Sequence, residues 1–193
     1  MSAIATSTAT AWTDVQPGIE YEAANPLIGW RVSVILVNGI ISPFVNGPTA
    51  TAVCGVEPAE RHHTGREVHP ECRCGLYLID TRQHLVDYWT DGGRRLLEGR
   101  AKIGRHRQAG LAICQVETTA NITGYAYHPG MIPPDTEHCY RTNELRLRRV
   151  FIPTGNRSGL PDRIGRKYPE IPVAQMRGPM HTIASAKYAE ADR

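Results

Sequence analysis

Residues 30–37 read Trp-Arg-Val-Ser-Val-Ile-Leu-Val. The run is β-branched and partly alternating, the signature of a strand that lies on a pleated, half-buried surface. Asn38-Gly39 follows and supplies a tight turn, because both residues tolerate positive φ. Working outward, residues 49–53 (TATAV) read as a second strand that runs straight into Cys54. Residues 76–79 (LYLI) form an apolar run, and residues 111–116 (LAICQV) a buried strand that 117–124 extend past a turn. Residues 144–152 (ELRLRRVFI) set Leu145 and Leu147 against Arg146 and Arg148, a half-exposed strand stopped by Pro153.

Two short helices interrupt this pattern. Residues 81–90 place Leu85, Val86, Tyr88 and Trp89 behind a candidate Thr81 cap, and residues 160–168 carry Pro161 in their first turn. Three prolines and a glycine in residues 128–138 forbid regular structure there. The expected fold is α+β and predominantly β, a small partly open barrel or sandwich with one or two short helices. A single β-rich domain spans 26–173. Residues 1–25, rich in Ala, Thr and Ser, read as a flexible N-terminal arm with Trp12 as a candidate docking residue. Residues 174–193 read as a polar C-terminal tail.

Composition agrees. In 193 residues, 18 glycines and 14 prolines imply many turns, and 41% hydrophobic residues suffice for a core. Only 7% are aromatic, so that core leans on Val, Ile, Leu and Ala. The net charge of +3 permits a nucleic-acid partner without arguing for one. Residues 1–15 lack a basic start and an apolar run, and five cysteines make an odd number for a disulfide framework. The expected compartment is the reducing cytoplasm, where clustered cysteines signify metal or catalysis more often than disulfides.

The densest chemistry lies between residues 54 and 74, which hold Cys54, His62, His63, His69, Cys72 and Cys74. Thiolate and imidazole are the borderline-soft donors that zinc takes in a tetrahedron. The expected ligands are Cys54, Cys72, Cys74 and His69, with His63 the second choice for the fourth. Cys-x-Cys is rarer than Cys-x2-Cys as a zinc pair, and reduced cysteines beside solvent-facing histidines are the plainer reading. Three thiolates and one imidazole close the shell, which favours a structural ion. His69-Pro70-Glu71 matches the His-x-Glu of zinc deaminases, but the Pro-Cys-x-x-Cys that must follow is absent. Cys114 reads as a core residue. His138-Cys139 could complete a second metal site with His128, although a loop cysteine is the simpler reading.

Basic residues gather at 94–107 and at 141–149, with Arg105, Arg107, Arg146 and Arg148 the candidate phosphate contacts. Few aromatics interleave with them, which weakens a single-strand reading, and a solvated face balancing acids elsewhere is the simpler explanation. Phosphate-cradling loops, Gly-x-Ser-x-Gly elbows and His-Glu-x-x-His helices are absent.

Ala52-x-Cys54 followed by His69-Pro70-x-Cys72-x-Cys74-Gly75-Leu76-Tyr77 resembles a motif of an uncharacterised family common in actinobacteria and their phages, where the second part reads Cys-x-Cys-Gly-Ile-Tyr-Ala. Ala112-x-Cys114-x-Val116, Val150-Phe151-Ile152-Pro153 and Arg166-Lys167-Tyr168-x-x-Ile171-Pro172-Val173 are similar to its later blocks. The resemblance spans residues 30–173 as short blocks, and Leu78 departs from it by replacing a small residue. It implies a bacteriophage or actinobacterial source and an architectural role for the cysteines, and it implies no activity. The expected function is a zinc-stabilised, non-enzymatic binding or regulatory module acting on nucleic acid or a host protein. The alternative is a small enzyme with its active site near the zinc loop.

Overall fold

The computed structural model describes residues 7–16, 19–53, 75–88, 108–124, 138–153 and 159–176. Cys54, His62, His63, His69, Cys72, Cys74, Arg105, Arg107 and His128 lie outside them.

Ten strands form one mixed sheet. In chain order they are β1 (Ser7–Ala9), β2 (Glu20–Ala23), β3 (Leu27–Leu36), β4 (Thr49–Thr51), β5 (Leu76–Ile79), β6 (Gln108–Thr118), β7 (Asn121–Gly124), β8 (Cys139–Thr142), β9 (Glu144–Pro153) and β10 (Val173–Met176). Helix α1 (Arg82–Tyr88) follows β5, and helix α2 (Leu160–Lys167) precedes β10. The strand order is β1-β2-β7-β8-β5-β3-β6-β9-β10, with β4 on β9 beside this path. Among the described residues the sheet is not closed and the structure is predominantly β with two short helices, as the sequence pattern anticipates.

The spine is the antiparallel pair of β3 and β6, in register from Leu27 opposite Thr118 to Ile35 opposite Gly110, after which the register shifts to set Leu36 opposite Gln108. Alternation on β3 divides its side chains between two cores. Leu27 and Ile35 enter the larger one with Cys114, Val116, Leu145, Leu147 and Ile152. Trp30 and Val32 face the smaller one with Ile113, Phe151 and Leu85 of α1. The Asn38-Gly39 turn forms as its sequence demands: Gly39 N–H donates to Leu36 O at 2.9 Å, with Gly39 at φ +85°. A Cβ there would also meet the Arg163 backbone at 2.8 Å, so glycine is required twice over.

β6 and β7 continue one another, as do β8 and β9. Ile122 opposes Thr142 and Glu117 opposes Arg146, so the four strands are one long antiparallel hairpin. A bulge between Gln115 and Val116 opposes two residues of β9 to one of β6. It absorbs the consecutive Arg148-Arg149, which strict alternation cannot turn to one face. Leu145 and Leu147 before it and Val150 and Ile152 after it all reach the same core.

Helix α2 is pinned by Tyr168, which is 2% exposed. Its hydroxyl donates to Phe44 O at 2.7 Å and accepts from Ile41 N–H at 3.0 Å. Tyr168→Phe is expected to cost about 1–3 kcal/mol, because it leaves a buried donor and acceptor unpaired. Denaturant unfolding measures this, and an unchanged midpoint would contradict the assignment.

The described residues nearest both ends are more built-in than their composition suggests. Of the segment 1–25 expected to be a flexible arm, the described residues 7–16 and 19–25 are built in: β1 and β2 pair in parallel, and β2 joins β7 in the main sheet. Ala9, Val15, Tyr21 and Ala23 are buried. Asp14 Oδ2 accepts from Thr10 N–H at 2.7 Å, Thr10 Oγ1 at 2.8 Å and Ala11 N–H at 2.9 Å, which holds its carboxyl below the usual range. Residues 174–176, read as the start of a polar tail, continue β10 along β9, with Met176 buried.

Candidate metal centre and the basic strand

Among the described residues, Asp80, His84 and His138 are the one group of three side chains whose donor atoms converge as metal ligands do, all within 4.8 Å of one another. Each is placed by regular structure. Asp80 directly follows β5, and its N–H donates to His138 O at 3.2 Å, prolonging the β5–β8 ladder. His84 sits in the first turn of α1, where its N–H donates to Thr81 Oγ1 at 3.1 Å, so Thr81 caps the helix as the sequence suggests.

The carboxylate organises the group. His84 Nδ1 lies 2.7 Å from Asp80 Oδ1, and His138 Nδ1 lies 3.0 Å from Oδ2. Thr81 N–H also donates to Oδ1, at 2.6 Å. The two imidazole rings stack with centroids 3.4 Å apart and planes 13° from parallel. Asp80 is 11% exposed, whereas His84 and His138 are 32% and 36% exposed, so solvent reaches the rings and scarcely reaches the carboxylate.

Cys139 does not join this group. The sequence pairs His138-Cys139 with His128, but strand alternation turns Cys139 away from its neighbour and into the smaller core, 4% exposed. Burial pushes its thiol up to about 11, and the negative charge of Asp80 adds to the effect. Cys114 is the core residue the sequence suggests, 0% exposed. Burial raises its thiol to about 11, against the smaller opposing effects of a Ser33 hydrogen bond and the nearby Arg31.

The expected ligands Cys54, His69, Cys72 and Cys74 lie outside the described residues, but the stems of their segment do not. On one side, Thr51 opposes Glu144 and Ala52 N–H donates to Asn143 O at 2.7 Å. On the other, Leu76 opposes Thr142. β4 and β5 therefore run along the same side of the β8–β9 strand, opposite β6 and β7. Ala52 and Leu76 occupy successive rungs, about 3.3–3.4 Å apart along the strand. β4 and β5 thus lie end to end along this strand, with Val53 the last described residue after one and Gly75 the first before the other. Gly75 leads into β5 with φ +124°, where an L side chain is strained.

Of the candidate phosphate contacts, Arg146 and Arg148 are on β9 with side chains 57% and 51% exposed. Both turn to Glu117 of β6: Arg148 Nη1 is 3.3 Å from Oε2, and Arg146 Nε is 3.9 Å from Oε1. Two shallow hollows of about 300 Å³ adjoin them. Arg146, Arg148 and Arg149 line these hollows together with Glu117, Glu144 and Glu170, so this face is charge-balanced.

Sequence reasoning named His138 beside Cys139, which turns into the core, and His128, which lies outside the described residues; it did not single out Asp80 or His84. The available signal was Asp80-x3-His84 spanning a capped helix start; the contact to His138 is made by β5–β8 pairing. No helix among the described residues is long and apolar enough to cross a membrane. No protein-family model matches the chain, and neither the curated proteins nor the solved structures contain a match to it.

Proposed function

We propose that this protein is a zinc-stabilised, non-enzymatic binding module, with zinc held by Cys54, Cys72, Cys74 and His69, and with a protein as its partner. The observation that carries the reading is the adjacency of the stems. Ala52 precedes Cys54 by two residues and Leu76 follows Cys74 by two, and these flanking residues occupy neighbouring rungs of one strand. Loop ends so close favour ligands drawn from both ends of the excursion.

The choice of a protein over a nucleic acid rests on Arg146 and Arg148. Both turn toward Glu117, in a face where three carboxylates balance three arginines, so their attraction for phosphate is already offset. A bacteriophage or actinobacterial origin belongs to the same proposal and rests on the Cys72-x-Cys74-Gly75-Leu76-Tyr77 block alone.

The test is metal content with stability. Purified protein is expected to carry one tightly held zinc that survives gel filtration, and a strong chelator is expected to lower its melting temperature. A preparation without a thiolate-bound metal, stable in chelator, would refute the reading. Retardation of DNA or RNA that weakens steeply with salt and is abolished by Arg146→Glu with Arg148→Glu would replace the protein partner with nucleic acid.

A further inference from the structure

We propose that Asp80, His84 and His138 form a second, independent site for a borderline divalent cation of the Zn2+, Co2+ or Ni2+ class. Three observations carry it. First, the donor set is two imidazoles and one carboxylate, which suits these ions and not Mg2+ or Ca2+, whose ligands are almost all oxygen. Second, the donors are already close to ligand geometry. An ion bonded at about 2.0–2.2 Å to each donor separates them by roughly 3.0–3.4 Å. Here the two imidazole nitrogens lie 2.7 and 3.0 Å from Oδ1 and Oδ2 of one carboxylate, and one donor from each of the three residues lies within 4.8 Å of the others, so the three side chains already converge on one point. Third, the donors sit at the ends of elements: Asp80 and His138 are joined by the β5–β8 ladder, and His84 is set by a capped helical turn. Side chains positioned this way need little reorganisation to bind.

An ion held here would meet two imidazoles and one nearly buried carboxylate, with the ring edges open to solvent. Three protein donors leave at least one coordination position for water, so this site is open where the proposed cysteine site is closed.

The test uses the full chain and the metal alone. Zn2+ is added to wild-type protein while the imidazole nitrogens are followed by long-range proton–nitrogen correlation. The His84 and His138 ring resonances are expected to shift and saturate together. Co2+ then separates the two sites, because thiolate ligands give an intense near-ultraviolet charge-transfer band and an N2O site does not. His84→Gln and His138→Gln, both at partly exposed positions, are each expected to lose one molar equivalent of Co2+ with the thiolate band unchanged. Unshifted His84 and His138 resonances at saturating Zn2+ would overturn the proposal, as would full Co2+ retention by both variants. Absence of the thiolate band with the histidine shifts intact would instead sink the cysteine site and leave this one standing.

Discussion

Deleting residues 1–24 is expected to abolish cooperative folding. The segment supplies β1 and β2, which finish the sheet beyond β7, and it buries Ala9, Val15, Tyr21 and Ala23. Trp12 adds a second tie. Its indole N–H donates to Ile28 O at 2.7 Å, and its ring meets Tyr140 with centroids 4.5 Å apart. The Tyr140 hydroxyl in turn donates to Trp12 O at 3.3 Å. Burial of Val15, Tyr21 and most of Trp12 is worth roughly 6–8 kcal/mol at about 25 cal/mol per Å² of apolar surface, comparable with the whole stability of a domain this size. Trp12→Ala alone is expected to cost about 2–4 kcal/mol, less than a fully buried tryptophan because the ring is partly exposed. Thermal unfolding followed by circular dichroism reads both. A truncated chain that melts within a few degrees of the full one would show that β1 and β2 contribute pairing without stability.

The segment misleads because its burial is inherited from its partner. Residues 7–9 are Ser-Thr-Ala, and nothing in them asks for a strand; they become one because β2 offers an edge. In β2 the alternation Glu20-Tyr21-Glu22-Ala23 is present, but two apolar residues in four are too few to stand out from a polar stretch. β8 hides for the opposite reason. All four of its residues are buried, Arg141 and Thr142 included, because β5 and β7 flank it and both of its faces are covered. Binary patterning cannot report a strand whose polar members are buried in hydrogen bonds such as Thr142 Oγ1 with Thr118 Oγ1 at 2.8 Å. By contrast β3, β5, β6 and β9 are legible, since each carries several apolar residues that enter one core or the other. The His84–His138 contact joins residues 54 apart through strand pairing, so no local spacing encodes it.

Replacing Cys54, Cys72 or Cys74 by serine is expected to destabilise the protein by similar amounts for all three, each by several kcal/mol. In the proposed site the thiolate ligands would be deprotonated and the ion would bind the folded chain alone, so its binding free energy would become folding free energy. Losing any one thiolate opens the same shell, which is why the three effects should match despite the different chain positions. His69→Ala should join them if it supplies the fourth ligand, and His63→Ala should do so in its place if it does. Cys114→Ser is the control. That thiol is 0% exposed and protonated at neutral pH, so its loss costs a packing and polar-burial penalty of about 1–3 kcal/mol and releases no metal. The distinguishing readout is zinc content measured beside unfolding midpoints: the three cysteine variants should lose one equivalent of thiolate-bound metal, and Cys114→Ser should lose none. Unequal effects among Cys54, Cys72 and Cys74, with metal retained in any of them, would remove that residue from the shell. The stems at Ala52 and Leu76 would then close a loop held by packing rather than by an ion.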